Sequence, residues 1–207
     1  MSCHRYTRSF HFKQFNDLPQ EGLLDRILQK KFPLRPNIYQ GVFFEGLTCF
    51  HLARQTKESE YHRIGEAALT FMRNFSEHNK WNFENKMMLL EAEKMHTLGL
   101  FDRAATLYES AIRSAREHKF IHEEAIASEL AGILFCERRL HEKALNFLMH
   151  SAQSYRKWGA LAVAKRVDTF VANRYREDYK QLGLNEDALS YIFASSEDAS
   201  KKRQVIE

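Results

Sequence analysis

The stretch "HTLGLFDRAATLYESAI", residues 96–112, decides how the chain is read. Gly99 is one of only eight glycines, and Phe101, Ala104, Tyr108 and Ala111 follow it at steps of two, three, four and three. Steps of three and four return a side chain to one face of a helix. A glycine just before them suits a helix stop, where a left-handed backbone costs a residue with a Cβ about 1–2 kcal/mol. Small residues at Ala92, Ala104 and Ala111 let helix axes approach to about 8–10 Å, and Phe101 and Tyr108 fill the space beside them. Asp102 is placed to cap the next helix. The stretch reads as the turn and second helix of an antiparallel pair.

Outward from it, the pattern continues. Helices are expected over roughly 37–57, 59–78, 84–98, 102–118, 122–138, 141–158 and 160–181, with "NKWNF" at 79–83 separating the second from the third. A shift of 40 superposes Ala92 on Gly132, Met95 on Phe135, Leu100 on Leu140, Ala104 on Ala144, Tyr108 on Leu148 and Ala111 on Ser151. A shift of 37 places Ala67 on Ala104 and Phe71 on Tyr108. Helical hairpins repeating at 34–47 residues are the signature of an α-solenoid. Trp158–Gly159 reads as a helix end, an aromatic plug followed by a C-terminal glycine. Residues 1–36 form an aromatic-rich arm with a short helix over 18–32 and a break at Pro33 and Pro36, and 182–207 a short helix and polar tail.

Composition agrees. The chain has 207 residues, 44% hydrophobic, with 16 Phe and 8 Tyr, enough for an ordered core or a run of stacked units. Eight Gly and three Pro leave few punctuation points, as long helices require. The net charge of +4 falls short of a dense phosphate-reading stripe, and "KKRQ" at 201–204 reads as part of a solvated tail. Cys3, Cys49 and Cys136 are isolated, which points to a reducing compartment. No apolar leader or membrane-length run is visible, so the expected location is cytoplasmic, with no membrane partner.

Gly, aromatic, Ala, aromatic, Ala at Gly99, Phe101, Ala104, Tyr108 and Ala111 resembles the second half of a tetratricopeptide repeat. In the next unit Arg139 replaces the turn glycine, Leu148 the tyrosine and Ser151 the alanine, and the period is 40, so the repeat is TPR-like. The resemblance implies an all-α fold, a right-handed α-α superhelix of hairpins over 37–181. A longer resemblance covers roughly 80–170, through "WNFENKMMLLEAE", "LYESAIRSAREHKFIHEEAIASELAG" and "SAQSYRKWGALAVAKRV". These segments resemble a helical region of very long signalling proteins that join a protein-kinase-like domain and a large ATPase module to GAF and histidine-kinase domains. There the segment around "SYRKWGA", 154–160, more often reads with a Tyr-Ala-Arg-Trp-Gly core, so Arg156 and Lys157 depart from it. The resemblance implies a regulatory or spacer region in signal transduction, carried by a scaffold without the catalytic modules.

Several stretches carry part of a chemical motif. "GVFFEGLT", 41–48, has the GxxxxG frame of a phosphate loop, but Leu47 stands where lysine is needed and no strand precedes it, so helix packing at Gly41 and Gly46 is preferred. "HEEAI" at His122 and "HEKAL" at His141 lack the second histidine at i+4, having Ile126 and Leu145 there, and are read as first turns of helices. A phosphoacceptor histidine in "SEHNK" or "HEE" lacks a following ATP-binding segment. No catalytic, cofactor or metal residue is therefore assigned, and no small-molecule substrate is evident.

What remains is a surface. If the hairpins stack as tetratricopeptide repeats do, first helices line a concave side bearing Lys86, Leu89, Glu93, His96 and Thr97, then Ile126, Glu129, Ile133, Cys136 and Glu137. That mixture suits a protein partner, whether a peptide, a basic amphipathic helix or a neighbouring domain. The other reading is that the chain's own terminal helices cover it. The structural signature comprises Gly99, Phe101, Ala104, Tyr108, Ala111, Gly132, Ala144, Leu148, Trp158 and Gly159. The expected role is a non-catalytic TPR-like interaction scaffold. The alternative is a helical-repeat nucleic-acid-binding module, resting on Arg166, Arg174 and Arg176; an enzyme with a site dispersed between helices finds no converging set of ionisable groups.

Overall fold

The computed structural model describes residues 38–181, and among the described residues there are seven α-helices and no strand. They are α1 (Ile38–Thr56), α2 (Ser59–His78), α3 (Lys80–Thr97), α4 (Phe101–Glu117), α5 (Ile121–Glu137), α6 (His141–Trp158) and α7 (Leu161–Gln181). The arm and short helix expected over 1–36, and the closing segment over 182–207, lie outside the described residues. Each helix packs on its neighbours in sequence, and α3 also touches α1 and α5.

The last four reversals are built alike. A left-handed residue recurs every 20 positions, at Gly99 (φ 76°), Lys119 (62°), Arg139 (58°) and Gly159 (92°). The next residue donates its N–H to the carbonyl five positions back, Leu100 to Met95, Phe120 to Ala115, Leu140 to Phe135 and Ala160 to Tyr155, at 2.8–2.9 Å. This closes the carbonyls that a helix end leaves open. The same residue's carbonyl then accepts the first bond of the following helix, as Leu100 does from Ala104 at 2.9 Å. Two such turns make one hairpin unit, which accounts for the 40-residue correspondence between Gly99 and Arg139. A Cβ at Gly99 would meet nothing within 4 Å, so glycine is there for its backbone and not for space.

Three local expectations need correction. Asp102 is not the cap of α4: Leu100 occupies that position, and Asp102 stands in the first turn, where its charge suits the helix dipole. "NKWNF" does not separate α2 from α3. The break is Asn79 alone, whose side chain accepts the Asn82 N–H at 3.3 Å and starts α3 at Lys80. The first hairpin superposes better by 36 than by 37, because Ala68 and Met72 are buried while Ala67 and Phe71 are only half-buried.

The packing residues lie inside. Ala92, Ala104, Tyr108, Ala111, Ala144 and Leu148 are all buried, and Phe101 is half-buried against the rest. Gly132 lets α5 and α6 approach closely: a Cβ there would sit 2.6 Å from Leu148 Cγ. Across the same contact Ser151 Oγ donates to the Ala125 carbonyl at 2.8 Å. Gly46 does likewise between helices, with Ala68 Cβ 2.7 Å from an added Cβ. Helix α5 is the innermost element, buried at every position from Glu123 to Cys136. A helix apolar on every face is the kind that a core encloses.

Since Arg139 carries a Cβ in the left-handed region, Arg139→Gly is expected to raise stability by roughly 0.5–1 kcal/mol, the relieved strain exceeding the added chain entropy. Gly99→Ala is expected to lower it by about 1 kcal/mol. Urea melts of the two variants check the pair, and a change of the same sign in both contradicts the reading of these turns.

Candidate functional site

Polar groups join the odd-numbered helices beside apolar contacts such as Tyr39 against Phe83, whose ring centres lie 5.3 Å apart. On α1, His51, Arg54 and Gln55 share one face by their i, i+3 and i+4 spacing. Arg54 Nη1 reaches Glu93 Oε2 on α3 at 2.7 Å and donates to Thr97 Oγ1 at 3.2 Å. Thr97 Oγ1 in turn donates to the Phe50 carbonyl at 3.1 Å. The Tyr108 hydroxyl of α4 donates to Glu93 Oε1. His96 Nδ1 lies 3.3 Å from that hydroxyl, and His96 Nε2 donates to Glu137 Oε2 at the end of α5 at 2.8 Å. One chain of contacts therefore runs Arg54, Glu93, Tyr108, His96, Glu137 through four helices.

Its electrostatics follow from burial and pairing. Burial opposes ionisation of Glu93, which is 1% exposed, but Arg54, His96 and the Tyr108 hydroxyl outweigh it and hold the carboxyl below its ordinary range. Burial, with Glu93 next to it, pushes the Tyr108 hydroxyl well up. Burial, reinforced by Arg54, lowers both His96 and His51, His51 to about 4. Burial with Glu45 and Glu60 pushes the Cys49 thiol up to about 12, so it is not a nucleophile at neutral pH.

Helix α5 repeats the theme with other partners. Glu123 Oε1 meets Lys86 Nζ of α3 at 2.7 Å, and Lys86 also lies 4.5 Å from the Phe120 ring centre. Glu124 Oε1 accepts from Arg116 Nε of α4 at 2.8 Å, with His150 of α6 at 3.2 Å. Glu129, fully buried, takes two hydrogen bonds from Arg166 Nη2 of α7 at 2.9 and 3.0 Å. Cys136 Sγ lies 3.8 Å from the Tyr175 hydroxyl, also on α7.

These contacts place the residues expected on a concave face. Lys86, Leu89, Glu93 and His96 on α3 are buried, and so are Ile126, Glu129, Ile133 and Cys136 on α5. Thr97 is half-buried, and the Glu137 side chain keeps 28% exposure. The open aliphatic and acidic surface expected from the sequence is thus an interior in this structure. Within it Glu93 is met by Arg54 of α1, Glu129 by Arg166 of α7 and Lys86 by Glu123 of α5, while Glu137 accepts a hydrogen bond from His96. Arg166, counted towards a nucleic-acid surface, is spent on Glu129.

Other sequence candidates fall out by position. Residues 41–48 lie wholly within α1, so the GxxxxG frame is not a loop. His122 and His141 stand in the first turns of α5 and α6, and His122 Nε2 pairs with Glu123 at 2.8 Å. Trp158 is not an interior plug: it is half-exposed, with its ring stacked 5.3 Å from His122, while Gly159 ends the helix in the left-handed region. Cys3 and "KKRQ" lie outside the described residues. Among the described residues no group of three or more His, Cys, Asp or Glu is arranged to hold a metal, and no helix is long and apolar enough to cross a membrane.

Sequence reasoning passed over His51, Arg54, Gln55 and Lys57. With Gly99 and Phe101, and with His96, Thr97 and Glu137 opposite, they line a cleft of about 220 Å³ where α1, α3 and α5 end. The available signal was a polar i, i+3, i+4 face on an otherwise apolar helix. No protein-family model matches the chain, and no curated protein or solved structure matches it.

A buried neutral His51 makes stability depend on pH. Its pKa is lower folded than unfolded, so the unfolded chain takes up the proton first. Stability is expected to fall as pH drops from 6.5 towards 4, by up to about 3 kcal/mol from this group. Urea midpoints of the wild type and His51→Gln between pH 7.5 and 4.5 check it; parallel curves contradict it.

Proposed function

We propose that residues 37–181 form a right-handed α-α superhelix of TPR-like hairpins acting as a non-catalytic interaction and spacer region. In this reading it organises signalling within a larger protein that carries ATPase and kinase modules. The observation that carries it is the identical construction of the turns at 99, 119, 139 and 159. A regular reversal repeats the same neighbour contact, and stacked repeats couple their ends through nearest-neighbour packing. The charge pairs from α1 to α3, α3 to α5 and α5 to α7 add directional links to that packing. Such an array is stiff along its length, which is what a spacer between modules requires.

An antibody raised against residues 80–170 tests the multidomain part. Immunoblots of the source cells are expected to show a species far heavier than the 24.4 kDa of this chain. A single band at that mass contradicts it and leaves a free-standing scaffold.

A further inference from the structure

The hairpins reverse at two edges, and one edge is unlike the other. The breaks at Asn79, Lys119 and Gly159 fall on the same edge, where α3, α5 and α7 begin. Ring contacts join them: Trp81 lies 4.4 Å from His118 and Trp158 lies 5.3 Å from His122, centre to centre. These are the two tryptophans of the chain, a residue that folding usually hides, yet their exposures are 60% and 51%. Leu161, three residues beyond the second, is 66% exposed. Each reversal also presents an exposed lysine, Lys80, Lys119 or Lys157. The arginines nearby are already paired, Arg116 with Glu124 and Arg156 with Asp168. Lys119 keeps its place at φ 62°, in a left-handed backbone that glycine occupies at 99 and 159. The opposite edge, with the reversals at Gly99 and Arg139, exposes Leu98, Leu100 and Leu140 and has no tryptophan.

We propose that this edge docks on an anionic phospholipid surface, with Trp81, Trp158 and Leu161 in the headgroup layer and Lys80, Lys119 and Lys157 against the lipid anions. Tryptophan favours that layer because its ring is apolar and its N–H finds a polar partner there. A lysine held near such a surface strengthens binding about fivefold. The exposed carboxylates Glu77 and Glu117 offset part of that attraction, so apolar tips and lysines act together. A single-stranded nucleic acid would use the rings and the lysines. It gains nothing from Leu161, the most exposed of the large apolar side chains described. The lack of a membrane-length helix is no obstacle, because the contact is made by helix ends lying at the surface. The inference goes beyond the spacer reading and holds or fails independently of it.

The two tryptophans are themselves the reporters. The full chain is titrated with phosphatidylcholine vesicles containing about 30% phosphatidylserine, and with phosphatidylcholine vesicles alone. With the anionic vesicles, tryptophan emission is expected to shift to the blue and to be quenched by lipids brominated near the headgroup. Binding to the neutral vesicles is expected to be about tenfold weaker or more. Lys119→Gly suits the left-handed turn and is expected to weaken binding about fivefold without lowering the melting temperature. Leu161→Ser leaves both reporters in place and is expected to weaken binding about threefold or more. Emission unchanged up to about 1 mM lipid overturns the proposal. So does equal binding to the two kinds of vesicle, or affinity unchanged in both variants. Tighter binding of an oligothymidylate than of anionic vesicles overturns it in favour of a nucleic-acid strand, and self-association that buries both rings before lipid is added overturns it in favour of a second copy.

Discussion

The enclosure of α5 sets the terms for everything around it. A helix buried from Glu123 to Cys136 leaves the carboxylates of Glu123 and Glu129 almost no contact with bulk water, and Glu124 only 11% exposure. Leaving one charged and alone in that interior would cost several kcal/mol, so each must meet a cation. The three cations come from three different helices: Lys86 from α3, Arg116 from α4 and Arg166 from α7. Buried pairs of this kind add little net stability over apolar residues of the same size. What they add is register. A slide of α3 or α7 by one turn along α5, about 5.4 Å, would strand a buried carboxylate. The pair Arg54–Glu93 does the same between α1 and α3.

That register is possible only because the chain reverses at a fixed interval. The left-handed residues at 99, 119, 139 and 159 leave 17 or 18 residues for each of α4, α5 and α6. Equal lengths bring like ends together. The ends of α1, α3 and α5 gather His51, Arg54, His96 and Glu137 in one place, which is how a cleft arises without any loop designed to form it.

Much of this is legible in the sequence. The turn glycine at Gly99, the small residues at Ala104 and Ala111, and the 40-residue spacing are local or periodic signals, and a helix displays them in its own sequence. Two kinds of feature were not legible. Cap positions depend on where the turn bonds fall, so Asp102 and "NKWNF" were misplaced by a residue or a few. The fate of charged side chains depends on partners far away in sequence. Glu93 meets Arg54 across 39 positions and Glu129 meets Arg166 across 37, and nothing near either glutamate announces a cation. The repeat pattern puts Lys86, Glu93 and Glu129 on an open concave side, whereas the structure buries them. The near-continuous apolar run of α5, from Ala125 to Cys136, was the available hint that charges on that helix would be covered.

The central claim, that cross-helix charge pairs on an enclosed helix hold the array in register, is tested most directly by a double-mutant cycle on Lys86 and Glu123. Both side chains are 4% exposed and their charged atoms lie 2.7 Å apart. Lys86→Met and Glu123→Gln are each expected to cost roughly 3 kcal/mol in urea unfolding, and the double variant less than their sum by about 2 kcal/mol. Costs that add to within about 0.5 kcal/mol would contradict the account.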